Sequence, residues 1–172
     1  MGCSVTLTGL PRDCEKSMGG IAELWAVDHA AVSLVTVNEE VITDIALKEG
    51  AQFVRYYFRK GAGSMTKNFN IDNPNGINFA VTDVVVQFGK MDTAKRIAMN
   101  TLTVADVALI VKDNNGKYWY LGYDNAVTAT AGSGATGQAF TDANMYSVTL
   151  QDTALQLPYE VSAEAIVDLL KE

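Results

Sequence analysis

Short strand-like segments, each ended by a cluster of turn residues, recur along most of this chain. The segments IAELWAVDH at 21–29, AVSLVTV at 31–37 and VITDIAL at 41–47 contain alternating or β-branched apolar residues. Turn signals such as DNPNG at 72–76 and DNNG at 113–116 separate such segments. We therefore predict a mainly β (α+β) fold of eight or more strands. A sandwich or barrel-like domain is the natural way to bury so many strands.

Two segments have the periodicity of helices instead. TAKRIAMNTL is rich in helix-forming residues and predicts one internal flanking helix over about 92–102, capped by Asp92 or Thr93. SAEAIVDLLKE predicts a short C-terminal helix that Ser162 caps. The expected architecture is therefore a β domain with these two helices.

Length and composition indicate one folded domain over 1–172. The chain has 172 residues, of which 48% are hydrophobic and 19% are charged, a balance typical of a globular protein. No apolar run approaches the roughly 20 residues that a membrane-spanning helix needs, so no membrane partner is expected. Residues 1–20 are expected to form an N-terminal arm, in which SVTLTG at 4–9 predicts a first strand and GLPRDCEKSMGG a loop.

Further segments predict a hairpin and additional strands. The alternating segment 52–60 and the segment 65–71 form an expected hairpin across the turn GAGS. INFAVTDVVVQFGK contains a continuous apolar run, which predicts a strand buried on both faces. Strands are also expected near QAFTDA and MYSVTLQD, and the proline in LQLPYEV favours an edge strand or a connector.

The glycines of TATAGSGATGQAF match a nucleotide-binding fingerprint. Gly132, Gly134 and Gly137 spell G-x-G-x-x-G, which in a dinucleotide-binding protein follows a parallel strand and opens a helix. The residues that follow, QAFTDANMYSVTL, have no helical period, so no helix N-terminus is available for a phosphate. We therefore expect no bound cofactor and interpret the glycines as a loop between strands.

The residues that commonly carry catalysis or bind metal are scarce. Two cysteines and a single histidine cannot complete a four-ligand zinc site, and the net charge of −7 lacks the basic footprint of a tight phosphate binder. A Cys14–His29 pair has no nucleophile motif around it. The turn DNNG resembles the start of a calcium loop but lacks its distal acid, which leaves only a looser site with Asp124 or Asp142. The sequence therefore favours a protein that is not an enzyme and holds no metal.

Three longer stretches carry a family resemblance: GLPRDCEKSMGGI, IVKDNNGKYWYLGYDNAV and TGQAFTDANMYSVTLQDTALQLPYEV. Across most of its length the chain resembles virion structural proteins of tailed bacteriophages, most closely the tail tube proteins of phages with Bacteroides-like hosts. The resemblance implies a β-sandwich flanked by a helix, with six copies in a ring whose inner strands join into one barrel. It further implies that rings stack into a tube and that DNA passes non-specifically through the lumen. The protein would be a virion component, assembled in the host cytoplasm with other virion proteins.

The resemblance also suggests where copies meet. The predicted hairpin, with Arg55, Tyr57, Arg59 and Lys67, is expected to line the lumen or bridge subunits. The arm at 1–20 and the glycine loop with Gly132, Gly134 and Gly137 are expected to join rings.

Other interpretations of the sequence remain open. A head–tail connector or tail-barrel ring, a tail terminator or a capsid decoration protein would show the same pattern of strand segments with glycine and Asp-Asn turns. From a different class, a small-ligand or carbohydrate-binding β module could use Trp25 or Trp119 as its platform.

Overall fold

The computed structural model describes residues 5–170, which form eleven strands in two sheets and two α-helices. A seven-stranded sheet has the order β2-β3-β11-β8-β7-β1-β4, and a four-stranded sheet has the order β5-β6-β10-β9. The strands of the first sheet are β1 (Ile21–Asp28), β2 (Val32–Asn38), β3 (Val41–Leu47), β4 (Val54–Tyr56), β7 (Val107–Asp113), β8 (Tyr118–Leu121) and β11 (Tyr159–Val161). Those of the second are β5 (Gly63–Asp72), β6 (Ile77–Gly89), β9 (Thr128–Ala135) and β10 (Met145–Ala154). The prediction of a mainly β domain with an internal and a C-terminal helix is confirmed.

The seven-stranded sheet is strongly curled. Its order places four strands between β1 and β2, which in a flat sheet would separate these two strands by about 24 Å. Only the short 3₁₀ helix His29–Ala31 connects them, and this connection can span at most about 15 Å. The sheet therefore curls around a core in which Trp25 of β1, Ile42 of β3 and Tyr120 of β8 are buried.

The second core fills the space between the two sheets. Leu24, Leu109, Val84 and Leu150 are fully buried there and come from both sheets. Met99 of the internal helix also belongs to this cluster, so the helix packs against the sandwich. Each buried strand face thus has an apolar partner across the layer.

Both helices begin where the sequence predicts. Helix α1 (Thr93–Leu102) starts after Asp92, whose Oδ1 accepts a hydrogen bond from the Lys95 N–H at 2.8 Å. Helix α2 (Ala163–Leu169) starts after Ser162, whose Oγ accepts from the Ala165 N–H at 3.3 Å. These side chains satisfy amide groups that have no partner within the helix.

The predicted first strand is wrong. Ser4 lies outside the described residues, and 5–20 contain no helix or strand. Val5 and Leu7 alternate as a strand would, but they are 74% and 90% exposed. Their segment has no partner strand among the described residues, so alternation alone does not produce a strand here.

The predicted hairpin of 52–60 with 65–71 is also wrong. Strand β4 covers only Val54–Tyr56 and pairs with β1, whereas β5 belongs to the other sheet and pairs with β6. The connection between them is a corner that crosses from one sheet to the other. A Cβ on Gly63 would lie 2.6 Å from the Ile21 side chain and 2.9 Å from Phe58, so this corner requires glycine.

Three smaller predictions need correction. The segment QAFTDA at 138–143 is a turn, and strand β10 begins only at Met145. Strand β11 lies between β3 and β8, not at an edge, and Pro158 precedes it, where its missing N–H is outside the ladder. Strand β6 alternates buried and half-buried residues, so only one of its faces enters the core.

Candidate assembly surface

The outward face of the four-stranded sheet is composed almost entirely of uncharged side chains, most of them small. On β6, Thr82, Val84 and Val86 point into the core, so the residues between them point outward. Cross-strand register then assigns this outward face to Ser64, Thr66, Asn68, Val81, Asp83, Val85, Gln87, Ser147, Thr149, Gln151, Thr153, Thr128, Ala131, Ser133 and Ala135. Where all four strands run side by side, Asp83 is the only charged residue of this described face.

Asp83 is held by its neighbour across the ladder. Its Oδ1 accepts a hydrogen bond from Gln151 Nε2 at 2.9 Å. Thr66 lies opposite Asp83 on the other side, in strand β5. This face was not among the predictions, although the alternation of Ser, Thr and Gln in SVTLQDT at 147–153 is its signal in the sequence.

Both edges of this sheet are open within residues 5–170. Strand β5 has ten residues and pairs only with β6, and β9 has eight residues and pairs only with β10. All three pairings within the sheet are antiparallel. Two long strands therefore present rows of backbone donors and acceptors that no strand of the same copy uses.

The glycines predicted to form a loop lie mostly in one of these edges. Gly132 and Gly134 belong to strand β9, opposite Val148 and Tyr146, so the loop interpretation is wrong for them. A Cβ on Gly134 would lie 2.8 Å from the Tyr146 ring, which shows why this position is glycine. The small size of Gly134 leaves room for the Tyr146 ring, a tertiary contact that the periodicity of the sequence does not reveal.

Gly137 lies in an ordered turn after β9. Its φ is +71°, and a Cβ there would collide with Asp142. Asp142 Oδ2 accepts hydrogen bonds from the N–H groups of Gln138 at 2.7 Å and Ala139 at 2.8 Å. These bonds lower the pKa of Asp142, the larger effect coming from Gln138. The turn is therefore fixed by its own hydrogen bonds.

The remaining predicted assembly residues do not share one surface. Arg55 lies on β4, 3.5 Å from Glu23, with its guanidinium 4.6 Å from the Tyr57 ring centroid. Tyr57 is 69% exposed, and Arg59 lines a separate cleft beyond it. Lys67 lies on the other sheet, in β5. The structure brings Arg55 and Tyr57 together but separates them from Lys67.

Lys67 covers one face of Trp119. Its Nζ lies 3.2 Å from the ring centroid, and Trp119 Nε1 donates a hydrogen bond to Asp113 Oδ2 at 3.1 Å. Burial lowers the pKa of Lys67 to about 8, although Asp113 and Glu160 oppose this shift. Trp25 is only 7% exposed. Neither tryptophan resembles the open platform that sugar binding uses.

Among the candidate catalytic and metal-binding residues, His29 and Asp113 have structural contacts. His29 Nε2 lies 3.0 Å from the carbonyl oxygen of Gly122, and Cys14 is exposed on the N-terminal segment. Asp113 Oδ1 accepts from the N–H groups of Asn115 and Lys117, as a turn residue does. In the described part of the chain, no group of three or more histidine, cysteine or acidic residues could hold a metal ion.

The buried carboxylate of Asp152 was not among the predicted functional groups. Asp152 of β10 is 2% exposed, and its Oδ1 has no hydrogen-bond partner in the described structure. Burial is the largest effect and raises the pKa of Asp152 to about 6. The nearby charge of Asp124 also raises this pKa, whereas a hydrogen bond from the Gly122 N–H and the nearby His29 lower it.

Comparisons with protein-family models, curated proteins and solved structures give no match for this chain. No helix within residues 5–170 has the length and apolar content that crossing a bilayer requires.

Proposed function

We propose that this protein is a structural subunit that self-assembles into stacked rings, as the tail tube protein of a tailed bacteriophage. The observation that carries the proposal is the pair of open edges, β5 and β9, on the four-stranded sheet. Long unpaired edge strands promote association, and closure of a sheet into a barrel removes them. Neighbouring copies would supply the missing partners.

The strand directions favour closure through identical copies. Because four strands alternate in direction, β5 and β9 run in opposite directions. In a ring of identically oriented copies, β9 of one copy would therefore meet β5 of the next as an antiparallel neighbour. The alternation then continues around the ring without a break, which is what a heterologous, closed interface requires.

The outward face of the sheet suits the wall of a channel. The opposite face is occupied by the core, so copies that keep the seven-stranded sheet on the outside would line the lumen with Ser, Thr, Gln and small apolar residues. Six copies would form a barrel of about 24 strands, and barrels of 16–18 strands already enclose an aqueous channel. One Asp83 per copy and a net charge of −7 would repel phosphates, so that DNA could pass without being held.

The remaining parts of the proposal rest on the resemblance in sequence. They are the six-fold symmetry, the location in the virion after assembly in the host cytoplasm, and the contacts with other virion proteins.

Electron microscopy of the purified protein over a range of concentrations tests this proposal. We expect rings with an open lumen, which stack into tubes as the concentration rises. A protein that stays monomeric at the highest concentration would contradict the proposal. Single rings that never stack would favour a connector or terminator ring instead.

A further inference from the structure

The hairpin of β5 and β6 protrudes beyond the rest of its sheet. Strand β10 ends at Ala154, in the same row as Ala80 and Phe69, so residues 69–79 comprise this last row and the part of the hairpin beyond it that no strand in the described structure flanks. We call this segment the hairpin tip. It carries three exposed apolar side chains: Phe69 is 56% exposed, Ile71 62% and Ile77 45%. Such a projecting apolar element is unusual unless another surface covers it.

An apolar cleft lies near the other end of β6. It has a volume of about 260 Å³ and lies between β4 and α1. Its lining residues are Val54, Arg55, Tyr56, Tyr57, Phe88, Lys95, Ala98 and Met99. The volume is sufficient for one or two apolar side chains.

The two surfaces differ in charge. Asp72 is the only charged residue between 68 and 82, and Glu40 lines the pocket beside Phe69. By contrast, the segments 59–60 and 90–96 on either side of the apolar cleft contain five basic residues and one acidic residue. Arg59 and Lys90 line a second cleft next to Gly89. The hairpin tip is therefore weakly acidic, and the surroundings of the apolar cleft are basic.

We propose that the hairpin tip of one copy docks in the apolar cleft of a second copy and that this contact joins successive rings. Ile77 and Phe88 are eleven residues apart along β6, a distance of about 36 Å in an extended strand. The tip and cleft of one copy are thus too far apart to meet, and a contact between copies is heterologous. Along the ring axis such a contact does not close on itself, so it produces an open-ended stack. This inference rests on the proposed function, to which it adds the residues of the axial contact.

Two variants block the contact from its two sides. The tip variant carries Phe69→Ser and Ile71→Ser, which remove exposed apolar side chains from the hairpin tip. The cleft variant carries Ala98→Trp, which fills the apolar cleft from a half-buried position of α1. A matched control carries Asn70→Ser and Val167→Ser, because Asn70 is on the same hairpin and Val167 is an exposed apolar residue of α2. Thermal unfolding of all three identifies any variant that fails to fold.

We expect the control to form tubes like the wild type and each blocked variant to stop at single rings. An equal mixture of tip and cleft variants should yield paired rings and nothing longer. In such a pair the intact tips of the cleft variant occupy the intact clefts of the tip variant, and both outer ends are blocked. Electron microscopy and sedimentation measure the ring number directly.

Several results would overturn this inference while leaving the proposed function intact. One is tube growth by the folded tip variant at the wild-type concentration. Another is tube growth by the folded cleft variant. A third is loss of stacking only when residues 1–17 are deleted, which would identify the N-terminal arm as the occupant of the cleft. A wild-type protein that forms no rings would instead contradict the proposed function itself.

Discussion

At the scale of single residues, Gly63 shows how one position sets the path of the chain. It is the first residue of β5, at the corner where the chain leaves one sheet for the other. Ile21 and Phe58 occupy the space that a side chain would need. The absence of a side chain at Gly63 therefore lets the two sheets approach at this corner.

We expect Gly63→Ala to lower the free energy of unfolding by about 1–3 kcal/mol, because overpacking a core displaces side chains that are already in contact. Chemical denaturation of the purified variant measures this change. Gly19→Ala is the matched control, since a Cβ at Gly19 would meet nothing within 4 Å. Equal stability of the two variants would contradict this account of the corner.

The buried carboxylate of Asp152 makes a prediction about pH. In the folded protein the pKa of Asp152 is about 6, whereas an unfolded aspartate ionises near 3.9. Between these values the folded state binds more protons, so the contribution of Asp152 favours folding at low pH and is lost as the pH rises through about 6. From pH 7 to pH 5 this group alone should add about 1 kcal/mol of stability.

The variant Asp152→Asn removes this titration. We expect the difference in unfolding free energy between pH 5 and pH 7 to fall by about 1 kcal/mol relative to the wild type. Urea denaturation at the two pH values measures this difference. The neighbouring titratable residues His29, Asp124 and Tyr120 are the same in both proteins, so the comparison isolates Asp152. An unchanged pH dependence would show that Asp152 does not titrate in this range.

At the scale of elements, the C-terminal helix depends on its first residue. Helix α2 has seven residues and packs on β3 through Ile166. A helix this short has little stability of its own. We expect Ser162→Ala to lower the unfolding free energy by about 1 kcal/mol, because the Ala165 N–H loses its acceptor. Ser162→Asp retains an acceptor and should keep near wild-type stability, and equal losses in both would exclude the capping role.

The sequence predicts elements more reliably than their partners. Alternation and turn residues identify β1, β2 and β3, and helix-forming residues identify α1, because these signals are local. The pairing of 52–60 with 65–71 was wrong because sheet membership depends on which apolar faces meet in space. Residues 52–71 contribute one strand to each sheet. The chain passes from one sheet to the other at the corner next to Gly63, and in the sequence this glycine-rich corner resembles a hairpin loop.

The glycines of the candidate assembly surface also show that local sequence signals do not reveal tertiary partners. The glycines of β9 stand out in the sequence, but their strand conformation depends on pairing with β10. Gly134 is adjacent to Tyr146, twelve residues further along, so the reason for its small size is a tertiary contact. The open edge and its neutral outward face emerge only from the order of four strands.

At the scale of the whole molecule, the two sheets have different characters. The seven-stranded sheet curls around its own core, and α2 packs on it. The four-stranded sheet has open edges on both sides and a protruding hairpin tip. In the proposed assembly, β5 and β9 make the lateral contacts, and the hairpin tip and apolar cleft make the axial contacts. The lateral contact requires that β9 of one copy pairs with β5 of the next.

Disulfide formation across this junction tests that pairing directly. On a Cys3→Ser, Cys14→Ser background, Thr66→Cys on β5 is combined in turn with Ala131→Cys, Ser133→Cys and Ala135→Cys on β9. Within one copy these strands are three spacings apart, about 14 Å, too far for a disulfide. Across the proposed junction they are one spacing apart.

We predict that at least one of these three pairs gives an intermolecular ladder on oxidation, which ends at a closed ring of six copies on a non-reducing gel. Thr66→Cys combined with Val167→Cys on α2 is the control and should give no such ladder. Rings that assemble normally while none of the three pairs forms a cross-link would contradict the pairing of β9 with β5.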